Sequence, residues 1–179
     1  MKKSLPITII LSCVLLLTGC KKNYVISERQ RILFQYEYVN SAWGDQHHGF
    51  LIDNEGNVLT YNNPAVWHFP DTDLIISNSH ADENIASCTY SGKRIPAEEL
   101  LKFSNYIENI ASSKVTAPKN TAADAGTTQF ICYLFSEDSG VYKGTLIKME
   151  GDYTCENLNF YSKKVTSWMK EIRDSISIR

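Results

Sequence analysis

No catalytic signature can be read in this chain. It has no G-x-S-x-G elbow, no H-E-x-x-H pair, no P-loop and no G-x-G-x-x-G turn. Long blocks of one charge sign are missing too, and the net charge is only −2. A nucleic-acid partner needs a basic face, so that class is set aside. Cysteine is scarce, at 5 residues, and never occurs as C-x-x-C, which leaves little for a structural zinc site. The apolar run at the start, Leu5 to Leu17, is 13 residues long. A helix spanning a bilayer wants about 20.

What is present is a composition typical of a globular protein, 43% hydrophobic and 21% charged over 179 residues. That is enough for one domain with its own core. The short apolar run follows Lys2 and Lys3 and ends in Leu17-Thr18-Gly19-Cys20, the layout of an export signal. These four residues resemble the lipobox of bacterial lipoproteins: aliphatic, small, Gly or Ala, then Cys. The resemblance covers about twenty residues. It implies that the Cys20 thiol is acylated and that the chain is cut before it. Two or three acyl chains then hold the protein on a membrane, where one chain alone would bind only marginally. Lys21, rather than Asp, follows the cysteine. In the same family this implies sorting to the outer membrane, facing the periplasm. The expected division is a signal peptide over 1–19, a lipidated tether over 20–30 and a single α+β domain over 31–179.

Export permits disulfides. Cys132 lies in the apolar stretch QFICYLF and is expected to be buried and free. Cys88 and Cys155 lie in polar, turn-like stretches and are the favoured pair, although other pairings stay open. Closing that loop would contribute roughly 4 kcal/mol in the chain-entropy account.

Strand patterns begin at RILFQYEYV. Ile32, Phe34, Tyr36 and Tyr38 fall on one face, and Gln35 and Glu37 on a solvent face. GFLI-DNEG-NVLTY and QFICYLF-SEDSG-VYKGTLIKM read as hairpins closed by Gly56 and Gly140. Helices are expected over SHADENIASC, capped by Ser77 or Ser79, over IPAEELLKFSNYIENIA, and over NFYSKKVTSWMKEIRDSI. Leu100, Phe103, Ile107 and Ile110 form one buried stripe; Tyr161, Val165, Trp168 and Ile172 form another. The basic residues of the last helix read as a solvated face. Residues 112–128 are small and polar, a loop of unusual length. The fold class is therefore α+β: about five antiparallel strands, in two hairpins plus a leading strand, with two main helices packed on one face.

Two stretches carry candidate site residues. In WGDQHHGF, Asp45, His47 and His48 are legitimate metal ligands. Neighbouring histidines in a strand point to opposite faces, so they converge only from a loop, with His68 or His80 joining. The plain alternative is a polar strand entry. In PAVWHFP, Trp67, His68 and Phe69 sit between Pro64 and Pro70, where regular structure is blocked. Such aromatics either anchor a partner or fold back as a plug over the core. The leading functional expectation is a non-enzymatic, lipid-anchored module that binds an envelope protein or polymer, in the manner of an inhibitor or immunity factor, with no cofactor. The alternatives are an exported hydrolase with a dispersed His/Asp/Glu site and a metal or small-ligand binder.

Overall fold

The computed structural model of the chain describes residues 26–178. The export signal, Cys20 and residues 21–25 of the expected tether lie outside the described residues. From Ile26 onward the chain belongs to the domain. Ile26 packs on the core, Ser27 and Arg29 both bond Glu137, and the buried Gln30 donates to the Tyr133 carbonyl at 2.8 Å.

Among the described residues there are nine strands and four helical segments. The strands are β1 (Ile32–Asn40), β2 (Gln46–Asp53), β3 (Asn57–Asn62), β4 (Ile75–Ser77), β5 (Thr89–Arg94), β6 (Lys119–Asn120), β7 (Thr127–Ser136), β8 (Val141–Gly151) and β9 (Tyr153–Glu156). The helices are α1 (Asn78–Ala86), α2 (Ala97–Ser104), α3 (Ile107–Ala111) and α4 (Ser162–Ser175). The sheet runs β5-β3-β2-β1-β7-β8-β9-β6, with β4 also on β8, and its pairs are antiparallel.

The five strands expected from sequence are the contiguous centre of this sheet, β3-β2-β1-β7-β8. The expected count of about five is nevertheless corrected to nine. The additional strands β4, β5, β6 and β9 hold two to six residues each and line the edges. Short polar edge strands lack the alternation by which a half-buried strand is recognised. Both hairpin turns close as their residues dictate. Asp53 accepts from the amides of Glu55 and Asn57, and Gly56 takes φ +85. Gly140, at φ +63, donates its amide to the Ser136 carbonyl. Lacking a Cβ, glycine adopts such φ angles without strain.

The helices lie on both faces. α2, α3 and α4 cover the first face, where Leu100, Phe103, Ile107, Ile110, Val165, Trp168 and Ile172 meet Phe34, Tyr36, Phe50, Phe130 and Cys132. The expected helix over 95–111 is two segments, because Asn105 and Tyr106 leave the α pattern. The Tyr106 amide turns to the Phe103 carbonyl, and its ring stacks on Tyr161 at 4.2 Å. α1, capped by Ser77, covers the second face with Ala81, against Leu51, Tyr61, Ile131, Tyr133 and Tyr142. That second layer corrects the reading of β1: Gln35 and Glu37 are buried and not solvent-facing.

The expected Cys88–Cys155 bridge is not formed, and Cys88, Cys132 and Cys155 are free thiols. Cys88 leads into β5 at one end of the sheet, whereas Cys155 sits in β9 near the other. Six inter-strand steps separate β5 from β9, roughly 29 Å along the sheet, whereas bridged Cα atoms lie within about 7 Å. Burial pushes the thiols of Cys88 and Cys132 up to about 12, and raises Cys155 as well. Thiols held protonated are poor nucleophiles. Alkylation at pH 8 should therefore be slow for the folded protein and rapid at these three cysteines after denaturation. A Cys88–Cys155 peptide in an unreduced digest would overturn the strand order.

Candidate functional site

β2 places its two histidines on opposite faces of the sheet. His48 lies on the first face against the Tyr38 ring, 4.8 Å between centroids. Burial, and then the neighbouring His47, hold its imidazole below the ordinary value. His47 lies on the second face, and its Nε2 stands 2.8 Å from Glu37 Oε1. The side chains of His47 and Glu37 are 14% and 5% exposed. Asp45 is exposed before the strand begins. The metal set Asp45, His47 and His48 is thus not assembled. Among the described residues no three His, Cys, Asp or Glu side chains are grouped to hold an ion.

Glu37 is held within a polar network that crosses four strands, β3, β2, β1 and β7. Tyr133 donates its hydroxyl to Gln35 Oε1 at 2.6 Å. The Gln35 amide in turn donates to Glu37 Oε1 at 3.2 Å and to the Tyr61 hydroxyl at 3.3 Å, and Tyr61 donates to the Tyr36 carbonyl. Burial first, and the Glu37 charge second, push both phenols well above their ordinary values, so each keeps its proton and remains a donor. The donor chain ends on Glu37, which also faces the imidazole. In the tautomer that carries its proton on Nε2, the imidazole donates to this carboxylate and leaves Nδ1 as the other working nitrogen.

The PAVWHFP loop closes over this network. Asn63, at the end of β3, exchanges two bonds with the His47 backbone, at 2.6 and 2.7 Å. Trp67 then packs its ring on Tyr61 at 4.0 Å and on His47 at 5.2 Å. Its indole Nε1 is buried without a hydrogen-bond partner. Asn84 of α1, itself buried, pins the loop: its side chain accepts from the His68 amide and donates to the His68 carbonyl, both at 2.8 Å. The His68 ring leaves the His47 cluster. It stacks flat on His80 at 4.1 Å and reaches Glu83 at 2.6 Å. Phe69 stays 57% exposed, with its ring 4.9 Å from His47.

The loop therefore divides its roles: Trp67 is the plug and Phe69 the exposed face. Gln35, Glu37, Tyr61, Tyr133 and Asn84 escaped the sequence reading. The signal for the first two was the polar pair in FQYEY, which alternation assigns to solvent. No protein-family model, no curated protein and no solved structure matches the chain.

Proposed function

We propose that the protein is an exported, lipid-anchored interaction module of the cell envelope, held through Cys20 and facing the periplasm, which binds a protein or polymer partner with the PAVWHFP loop. One observation carries the reading. Phe69 offers a large apolar ring to solvent from a loop fixed at the two residues before it, by Trp67 on Tyr61 and by Asn84 on His68. A rigid, exposed aromatic loses little entropy on binding, which suits a hot spot. Trp43, 76% exposed in the β1–β2 turn, extends the apolar character of that end of the sheet.

The two loop aromatics separate the roles experimentally. Phe69→Ala should leave the melting curve close to wild type and abolish partner capture from envelope extract, since hot-spot truncation costs about 2 kcal/mol or more of binding. Trp67→Ala should lower stability by about 2 kcal/mol, below the 3–5 kcal/mol of a fully buried aromatic. Unchanged capture by Phe69→Ala would defeat the loop as the contact.

A second reading, an exported hydrolase, is favoured by the His47–Glu37 pair. A carboxylate that fixes an imidazole is half of an acid–base device. Hydrolysis of an envelope-derived ester, amide or glycoside that disappears in His47→Gln would establish it in place of the binding role.

A further inference from the structure

Residues 157–160, Asn-Leu-Asn-Phe, connect β9 to α4 with their polarity inside out. Asn157 is buried, donates to the Ile110 carbonyl at 3.0 Å and accepts from the Ser162 hydroxyl. Asn159 donates to the Asn109 carbonyl at 2.9 Å and to the Ser113 hydroxyl at 3.0 Å, while its own oxygen accepts from the Tyr161 amide. The asparagines thus fasten the segment to α3 and α4. The apolar residues between them face out, Leu158 at 66% and Phe160 at 89% exposure. Val115, bridged to Asn157, adds a third exposed apolar side chain. Exposure here follows from the built hydrogen bonds and not from a loose loop.

Exposed lysines flank this segment. The Lys114 carbonyl accepts from the Leu158 amide, and Lys163 and Lys164 lie in the first turn of α4, three and four residues after Phe160. Lys164 Nζ lies 3.4 Å from the Tyr106 hydroxyl, and Tyr106 stacks on Tyr161. Against these stand Glu108 on α3 and Glu156, the latter paired with Lys148. Exposed apolar side chains flanked by lysines and tyrosines match a membrane interface, where rings sit at headgroup depth and lysines meet anionic lipid.

The direction of the chain agrees. β9 runs antiparallel to β8, so the segment after Asn157 heads toward the β7–β8 turn. That turn holds Ser27 and Arg29 through Glu137. Only six positions separate Cys20 from Ile26, a reach of about 20 Å. The β1–β2 turn, with Trp43, lies at the opposite end of β1.

We infer that Val115, Leu158 and Phe160, flanked by the exposed Lys114, Lys163 and Lys164, dock the domain on the anionic bilayer that carries its anchor. The inference rests on the lipid-anchored reading. It orients the Phe69 loop away from the membrane.

The test places an environment-sensitive fluorophore on Leu158→Cys, and separately on Phe69→Cys, in the full lipidated chain. Cys132 and Cys155 are buried and do not compete for label, and the half-buried Cys88 is replaced by serine in both labelled chains. The chain is reconstituted in vesicles of phosphatidylglycerol and phosphatidylcholine. Label at 158 should shift to the blue, label at 69 should not, and adding Phe160→Ser should abolish the shift without lowering the melting temperature. A water-like spectrum at 158 in the anchored protein overturns the docking face. So does an equal shift at both positions, or an equal shift in phosphatidylcholine alone. A shift that grows with protein concentration without vesicles assigns the face to a second copy of the chain, and overturns it too. Intact mass of the same sample reports the acyl groups on Cys20, so loss of the anchor reading is seen separately.

Discussion

Gly49→Ala should be among the most damaging single substitutions in the domain. Gly49 sits in β2 between Glu37 of β1 and Tyr61 of β3. A Cβ there would stand 2.0 Å from the Tyr36 carbonyl oxygen and 2.6 Å from the Tyr61 hydroxyl. The nearest obstacle is main chain and cannot rotate aside. The added methyl therefore has to part β1 from β2 or expel Tyr61. Either move breaks the donation from Tyr61 to the Tyr36 carbonyl and removes the floor on which Trp67 lies. Overpacking in cores usually costs 1–3 kcal/mol. With a fixed backbone atom in the way, about 3 kcal/mol or more is expected. For a chain of this size that lowers the melting temperature by about 6–12 °C. Adding Tyr61→Phe should not restore it, because the carbonyl remains. A Gly49→Ala protein that melts with the wild type would show that the β1–β2 register is wrong.

How much of this was readable depends on where each residue sits. The central strands announced themselves because Phe34, Phe50, Phe130 and Cys132 recur at strand spacing and build a single cluster. The edge strands did not. Thr89–Arg94 and Tyr153–Glu156 carry polar side chains on both faces and exist because a neighbouring strand offers them backbone partners. That information is not local. The same holds for the site. His47 and Phe69 were visible as residue types, but Glu37 looked like a solvent-facing residue of an alternating strand. Its burial comes from α1 and the PAVWHFP loop, which cross the second face. The Asn157 and Asn159 pair makes the opposite point: polar residues turn inward where they have carbonyls to satisfy, and the hydrophobic ones are left outside. Periodicity reads which face a residue shares, not which face is covered.

The His47–Glu37 pair gives the second large effect and decides what the pair is for. Removing the imidazole by His47→Ala strands a carboxylate that is 5% exposed, with only the Gln35 amide beside it. Breaking a buried pair from one side typically costs 3–5 kcal/mol, because the remaining charge has lost its partner. His47 itself keeps some access to solvent, so about 3 kcal/mol is the expected loss. Glu37→Gln removes the charge instead, and it should cost less, since a neutral amide still has Gln35 and the imidazole as partners. In the double variant the stranded charge no longer exists. Its loss should therefore fall short of the sum of the single losses, by a coupling of about 0.5–3 kcal/mol. Denaturant melts of the four proteins measure all of these terms. Strong coupling with partner capture retained makes the pair a structural brace under the Trp67 plug, which fits the interaction module. A His47→Ala protein as stable as wild type but without hydrolytic activity would show the opposite, that the imidazole is held in place for chemistry and contributes nothing to the fold.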